Sequence, residues 1–221
     1  VSGLLRPEQA DFRGRILLDG EDLLHAGGQR IRAIQGKDIC VVFQEPMSAM
    51  DPTMRIGKQV EECLRVHTDL SAQERRQRAL QALRDVELPD PEGVYRKYPH
   101  ELSGGMARRV LLCCALMDAP KLIIADEPTP GLDLSLAQAA LADFRAFADA
   151  GGGVMLITHD IELALTVADR VAVFRDGTVV EETSVAAFAS PDTLGHPFTR
   201  QLWHALPEHG FVVPTEGGPL C

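Results

Sequence analysis

Short apolar segments alternate with segments of helical periodicity along most of the chain. The apolar segments are rich in β-branched and large aliphatic residues, which is typical of strands buried on both faces. These predicted strands lie at 12–20, 38–43, 121–126, 154–158, 170–174 and 178–182. The helices predicted between them lie at 103–117, 133–150 and 161–168. This alternation predicts an α/β fold with a parallel sheet that helices cover on both faces.

The segment from 56 to 100 departs from this alternation because its pattern predicts helices alone. Apolar residues recur at helical spacing over 56–67, and a capping box formed by Ser71 and Glu74 starts a second helix that runs to Val86. We interpret this block as a helical subdomain inserted into the sheet domain. The predicted organisation is a core at 1–55 and 101–190, the helical subdomain at 56–100, and a C-terminal tail at 191–221.

The composition is that of an ordinary soluble globular protein. Hydrophobic residues make up 45% of the 221 residues, and no apolar run approaches the roughly 18 residues of a membrane span. Lys and Arg number 22 against 32 Asp and Glu, a formal net charge of −10. This charge argues against nucleic acid or an anionic membrane surface as the main partner. Because the N-terminal residues also lack a signal-peptide pattern, we expect a cytoplasmic protein.

The cysteine content does not point to a metal centre. The five cysteines include no CxxC pair, and Cys40, Cys113 and Cys114 lie in apolar segments. Buried, reduced thiols are therefore the expected state of these side chains.

Polar side chains stand where two of the predicted strands end. Asp126 and Glu127 close the strand at 121–126, and His159 follows the strand at 154–158. Ligands of open α/β sheets bind at the carboxyl ends of strands. In that position Asp126 can hold Mg²⁺ directly or through water, Glu127 can polarise a water that attacks a phosphate, and His159 can contact a terminal phosphate.

A second candidate site lies at the start of the helix predicted over 103–117. Ser103, Gly104 and Gly105 place a hydroxyl and closely approachable backbone amides at its N-terminus. A helix N-terminus carries unpaired amides and a partial positive charge, so it suits an anion. We expect this anion to be the γ-phosphate of ATP.

Four motifs together resemble those of ABC transporter ATPases. VVFQEP, LSGGM, LIIADEPTPGLD and ITHD occur in the order of that family's Q-loop, signature, Walker B with D-loop, and switch histidine. The resemblance implies a P-loop NTPase-like (RecA-like) core that binds ATP and Mg²⁺. It implies that Gln44 senses the γ-phosphate and Mg²⁺, that Asp133 of the D-loop lies at the nucleotide, and that two ATPase subunits sandwich ATP. The signature of one subunit then faces the ATP of the other.

Three stretches narrow the resemblance to the ATPase subunits of peptide and nickel importers. These stretches are QEPMSAMDP, YPHELSGGM and the tail HPFTRQLWHALP. Such a subunit lies peripherally on the inner face of the cell membrane. Its helical subdomain receives the coupling helix of a membrane permease, and an external substrate-binding protein takes part indirectly.

The chain departs from the family pattern in three ways. Arg108 stands where a glutamine is usual after the signature, and Pro130 stands where threonine is common. The larger departure is that no segment matches the P-loop motif GxxxxGK[ST], while SGLL at 2–5 resembles the end of the helix that follows a P-loop. We therefore expect the N-terminal P-loop unit of the fold to be missing, which would expose apolar strand edges.

Two functional classes remain open at this point. One is an ATPase subunit of an importer whose sequence here lacks its N-terminal part. The other is a non-hydrolysing fragment that acts only as a binding module for a permease or a partner ATPase. An in-frame GxxxxGK[ST] upstream of Val1 would decide for the first. A soluble ABC protein without a transport role fits poorly, because the chain has neither tandem cassettes nor a long coiled-coil insertion.

These 221 residues by themselves are expected not to hydrolyse ATP at a measurable rate. In P-loop ATPases the loop amides cradle the phosphates and the loop lysine neutralises their charge, and Gln44, Asp126, Glu127 and His159 do not replace these groups. The measurement compares purified Val1–Cys221 with an extended form that carries the upstream sequence its gene encodes, both with Mg-ATP. Turnover by the shorter form that disappears in Glu127→Gln would contradict this expectation.

Overall fold

The computed structural model describes residues 11–130, 132 and 134–207 of the chain. They form two compact units, the first of which ends at Ile157 and the second of which begins at Thr158. Within these described ranges, no helix combines the length and the apolar character that crossing a membrane requires.

The first unit contains five strands and seven helices among its described residues. The strands are β1 Leu17–Leu18, β2 Glu21–Asp22, β3 Ile39–Val42, β4 Leu122–Asp126 and β5 Gly153–Ile157. The helices are α1 Gly28–Ile34, α2 Pro46–Ala49, α3 Ile56–His67, α4 Ala72–Asp85, α5 Pro91–Arg96, α6 Gly104–Leu116 and α7 Leu134–Asp149.

A three-stranded parallel sheet forms the centre of this unit, in the order β3-β4-β5. Val42 pairs with Ala125, and Asp126 pairs with Ile157, so the carboxyl ends of the strands lie at one edge. Ile123 and Ala125 on the central strand are fully buried. The predicted parallel α/β architecture is therefore confirmed.

The outer strand β5 departs from the prediction that both faces of the sheet are covered. Met155 and Ile157 lie two positions apart, on the same face of this strand, and they are 48% and 43% exposed. Among the described residues, β5 pairs with β4 on one side alone.

The segment predicted as a strand over 12–20 forms much less regular structure. Leu17–Leu18 pair with Glu21–Asp22 in a two-residue antiparallel hairpin. Asp19 and Gly20 make the turn with φ of 51° and 83°. Beyond the two paired positions, the Leu23 amide donates to the Ile16 carbonyl at 2.7 Å, and the Ile16 amide donates to the Asp22 carboxylate at 3.1 Å.

The helical block at 56–100 contains α3, α4 and α5. The Ser71 amide donates to the Glu74 carboxylate at 2.8 Å, and the Glu74 amide donates to the Ser71 hydroxyl at 3.3 Å. The capping box predicted at the start of α4 is therefore present. Sequence analysis missed α5. Asp90 and Pro91 are typical of a break between helices, but here they are the N-cap and the first residue of a short helix.

A buried acid holds α3 against α5. Glu61 is 4% exposed, and it accepts a hydrogen bond from the Tyr95 hydroxyl and pairs with Lys58 at 3.2 Å. Burial, together with this carboxylate, raises the pKa of Tyr95 to about 12. The Tyr95 ring lies directly over Gly57, where a Cβ atom would stand 2.3 Å from the ring. This close contact requires glycine at position 57.

The cysteines within the described ranges are free thiols, as expected. Cys40 and Cys113 are buried, while Cys63 and Cys114 are partly buried. Burial raises the pKa of Cys40 to about 12 and that of Cys63 to about 11. These thiols therefore remain protonated near neutral pH.

The described residues of the second unit contain two α-helices and a hairpin between them. Its elements are α8 Ile161–Val167, β6 Arg170–Arg175, β7 Thr178–Ser184 and α9 Pro197–His204. The two strands pair with each other in antiparallel fashion, and Asp176 and Gly177 form the turn between them. Val173, Phe188 and Leu194 form the core of this unit.

Replacement of Gly57 by alanine is expected to destabilise the first unit by about 1–3 kcal/mol, because the added methyl overlaps the Tyr95 ring. Gly28→Ala is the matched control, since a Cβ at that helical glycine meets no atom within 4 Å. This control should be neutral or stabilising by up to about 1 kcal/mol. Urea unfolding followed by circular dichroism measures both effects, and equal midpoints for the two variants would contradict the contact.

Candidate nucleotide site

The loops that follow β3 and β4 bring three predicted site residues to one edge of the sheet. Gln44 stands two residues beyond β3 with an exposed side chain, Asp126 is the last residue of β4, and Glu127 follows it. The pairing of Val42 with Ala125 sets these loops side by side. The structure therefore brings Gln44 together with the Asp126–Glu127 pair.

The backbone of Glu127 is held in a conformation that few side chains adopt. Its φ is 45°, in the left-handed region, and its amide donates to the Ile157 carbonyl at 2.8 Å. A left-handed residue other than glycine costs about 1–2 kcal/mol. Such strain is concentrated at functional sites, where neighbouring structure maintains it. Glu127 is thus the described site residue whose geometry departs most from ordinary backbone.

The predicted phosphate-binding segment is the N-terminus of α6. Ser103 caps this helix, and its hydroxyl accepts the Met106 amide at 3.4 Å. Gly104 is exposed, and a Cβ placed on it would meet nothing within 4 Å. Gly105 is partly buried and lines a cavity of about 240 Å³, which Arg108 also lines. The helix start is accordingly open to a ligand that approaches from outside.

His159 belongs to the second unit. It is exposed and stands between Thr158 and Asp160, whose carboxylate caps α8 by accepting the Leu163 amide at 3.1 Å. Along the chain it follows the end of β5 by two positions. Asp133, predicted to lie at the nucleotide, is outside the described residues.

Arg108 is a site residue whose role sequence analysis missed. Its guanidinium donates to the Pro128 carbonyl and, at 3.3 Å, to the Gln44 carbonyl. One side chain from α6 therefore contacts the loops after β3 and β4 together. The signal in the sequence was the departure itself, arginine where glutamine is usual.

The donor groups at the sheet edge fit a magnesium ion that arrives with a nucleotide. No group of three His, Cys, Asp or Glu side chains within the described part of the chain is placed to hold a metal ion. Mg²⁺ typically keeps several waters and binds one or two carboxylates together with substrate phosphates. Asp126 and Gln44 supply one carboxylate and one amide oxygen, which match that mode.

Comparison with known proteins identifies the family of the chain. The profile of the ABC transporter family matches residues 1–130. The oligopeptide transport ATP-binding protein of Lactococcus lactis is 40% identical over 94% of this chain and 61% of its own length. The dipeptide transport ATP-binding protein of Bacillus subtilis is 37% identical over 99% of this chain and 67% of its own. The chain thus spans about three fifths to two thirds of the length of these relatives.

A solved structure supports the same conclusion. An ATP-binding cassette, solved as a dimer in a post-hydrolysis state with ADP and Pi, superposes with a TM-score of 0.71 and 28% identity. The match covers 78% of this chain and 74% of that cassette. The fold and the site define a P-loop NTPase-like protein, and the chain belongs to the ABC transporter family of ATPases.

Proposed function

We propose that this chain acts in the ATP-binding and ATP-hydrolysing subunit of an ABC importer for peptides. One observation carries the proposal: the strand pairing that sets Gln44 beside the Asp126–Glu127 pair at the carboxyl edge of the sheet. Family membership and relatives named for oligopeptide and dipeptide transport support it.

The side chains at the sheet edge take distinct roles in this proposal. Asp126 and Gln44 hold Mg²⁺, which neutralises charge on the phosphate oxygens when bound. Glu127 orients and polarises the attacking water, and its fixed backbone directs the carboxylate. The family resemblance assigns His159 to the terminal phosphate and Asp133 to the nucleotide.

A second ATPase subunit completes the site. Ser103, Gly104 and Gly105 offer open amides and a hydroxyl at the start of a 13-residue helix. In a sandwich of two subunits these groups contact the γ-phosphate of the ATP that the partner holds. The dimeric state of the similar cassette supports this arrangement, in either a homodimer or a heterodimer.

The remaining partners follow from the importer assignment. The helical subdomain at 56–100 docks on membrane permease subunits, and an external substrate-binding protein delivers the cargo to that permease. The subunit lies in the cytoplasm, peripherally on the inner face of the membrane. Peptides are favoured over nickel as the cargo class, since the relatives described above are named for peptide transport.

A binding module without ATP hydrolysis is the second candidate. In that case the chain associates with a permease or a partner ATPase and leaves turnover to the partner. The comparison of shorter and extended forms described above separates the two candidates.

In the extended form, Glu127→Gln should slow ATP turnover by about 10²- to 10⁴-fold while a persistent ATP-bound dimer accumulates. The amide keeps the size of the side chain and removes the carboxylate that polarises water. Turnover is measured by phosphate release, and the dimer by size-exclusion chromatography with ATP. An unchanged kcat would remove Glu127 from catalysis, and a monomer in ATP would contradict the sandwich.

A photo-crosslinking residue in the helical subdomain should capture a permease loop. Val66, which is 61% exposed, and the exposed Gln77 are suitable positions on α3 and α4. The exposed Ala142 on α7 is the control outside the subdomain. Mass spectrometry of co-purified complexes identifies the partner. Crosslinks from Ala142 without any from Val66 or Gln77 would indicate that the docking surface lies outside the helical subdomain.

A further inference from the structure

The helix α6 carries two neighbouring arginines that bind different parts of the first unit. Arg108 donates to the backbone carbonyls of Pro128 and Gln44, the second at 3.3 Å. Arg109 donates to the Glu87 carbonyl at 2.8 Å, in the loop after α4. Adjacent residues of a helix point in directions about 100° apart, which explains why the two guanidinium groups reach separate loops.

The chemistry of arginine suits the double contact that Arg108 makes. A guanidinium presents five N–H donors in a planar fork, whereas a glutamine amide has two donors on one nitrogen. The two carbonyls that it contacts lie 64 and 20 positions from it in sequence, on separate loops. Glu45, next to Gln44, adds an attractive negative charge, and partial burial lowers the pKa of the guanidinium.

We propose that Arg108 is a positioning residue that fixes the loop of Gln44 and the loop of Glu127 to the signature helix. The inference rests on the proposed function, since those loops carry the groups assigned to Mg²⁺ and water. Arg108 itself touches neither; it acts through the carbonyls of Gln44 and Pro128.

The strained backbone at Glu127 explains why such a tie is needed. A left-handed residue relaxes unless its neighbours hold it. The Ile157 carbonyl holds the amide of Glu127, and the bond from Arg108 to Pro128 holds the next residue. The backbone on both sides of the Glu127 side chain is therefore held by a hydrogen bond. The same guanidinium also makes any shift of α6 move both loops together.

Amide hydrogen exchange on the 221-residue chain tests the tie independently of catalysis. In Arg108→Met, the amides of Ser48, Glu127 and Leu132, which are bonded within or beside the two loops, should exchange about tenfold faster. Arg108→Lys keeps the positive charge but lacks the planar guanidinium. It should therefore not restore the protection of the backbone amides in both loops. Arg109→Met is the matched control, and it should leave these amides unchanged. Unchanged exchange in Arg108→Met, or full protection in Arg108→Lys, would overturn the proposal.

ATP turnover by the extended form provides the second readout. Arg108→Met should lower kcat by up to about 10²-fold with little change in KM, since displaced groups lose positioning rather than substrate binding. A purely structural role would lower the yield of folded protein and leave kcat per folded molecule intact, which would overturn the inference. If the unmodified extended form shows no turnover, the proposed function fails, while the exchange data still decide whether Arg108 fixes the loops.

Discussion

Parallel pairing of β3, β4 and β5 is the constraint on which the candidate site depends. A parallel sheet places the carboxyl ends of its strands at one edge, so residues distant in sequence meet there. The pairing of Val42 with Ala125 sets the loop of Gln44 beside that of Asp126 and Glu127. The buried side chains of Ile123 and Ala125 fix the central strand, and a slip by one residue would turn these side chains away from the core.

Helix α6 contacts both this sheet and the helical block. Its apolar face, with Ala107 and Val110 fully buried, packs in the interior of the unit. Its N-terminus is capped by Ser103 and left open at Gly104. From its next turn, Arg108 reaches both loops of the sheet edge. One helix thus has an open N-terminus and a side chain that contacts both loops of the sheet edge.

The helical block depends on a different interaction, the buried carboxylate of Glu61. A buried charge is tolerated when it is paired and hydrogen-bonded, and here Lys58 and the Tyr95 hydroxyl meet both conditions. The Tyr95 ring in turn occupies the space over Gly57. This set of contacts holds α3 and α5 together.

The resemblance of four ordered motifs indicated the family. The sequence by itself also determined the α/β class, the parallel strands and the capping box of Ser71 and Glu74, because each is encoded by a local pattern of apolar and polar residues. It also identified Gln44, Asp126, Glu127 and Ser103 as candidate site residues from four ordered motifs. It did not determine the short hairpin at 17–22, helix α5, the left-handed backbone of Glu127 or the contacts of Arg108. Those features were decided by the tertiary structure: Pro128 and Gln44 lie 20 and 64 positions from Arg108, and only the packing of α6 against the sheet brings their carbonyls within reach of one guanidinium.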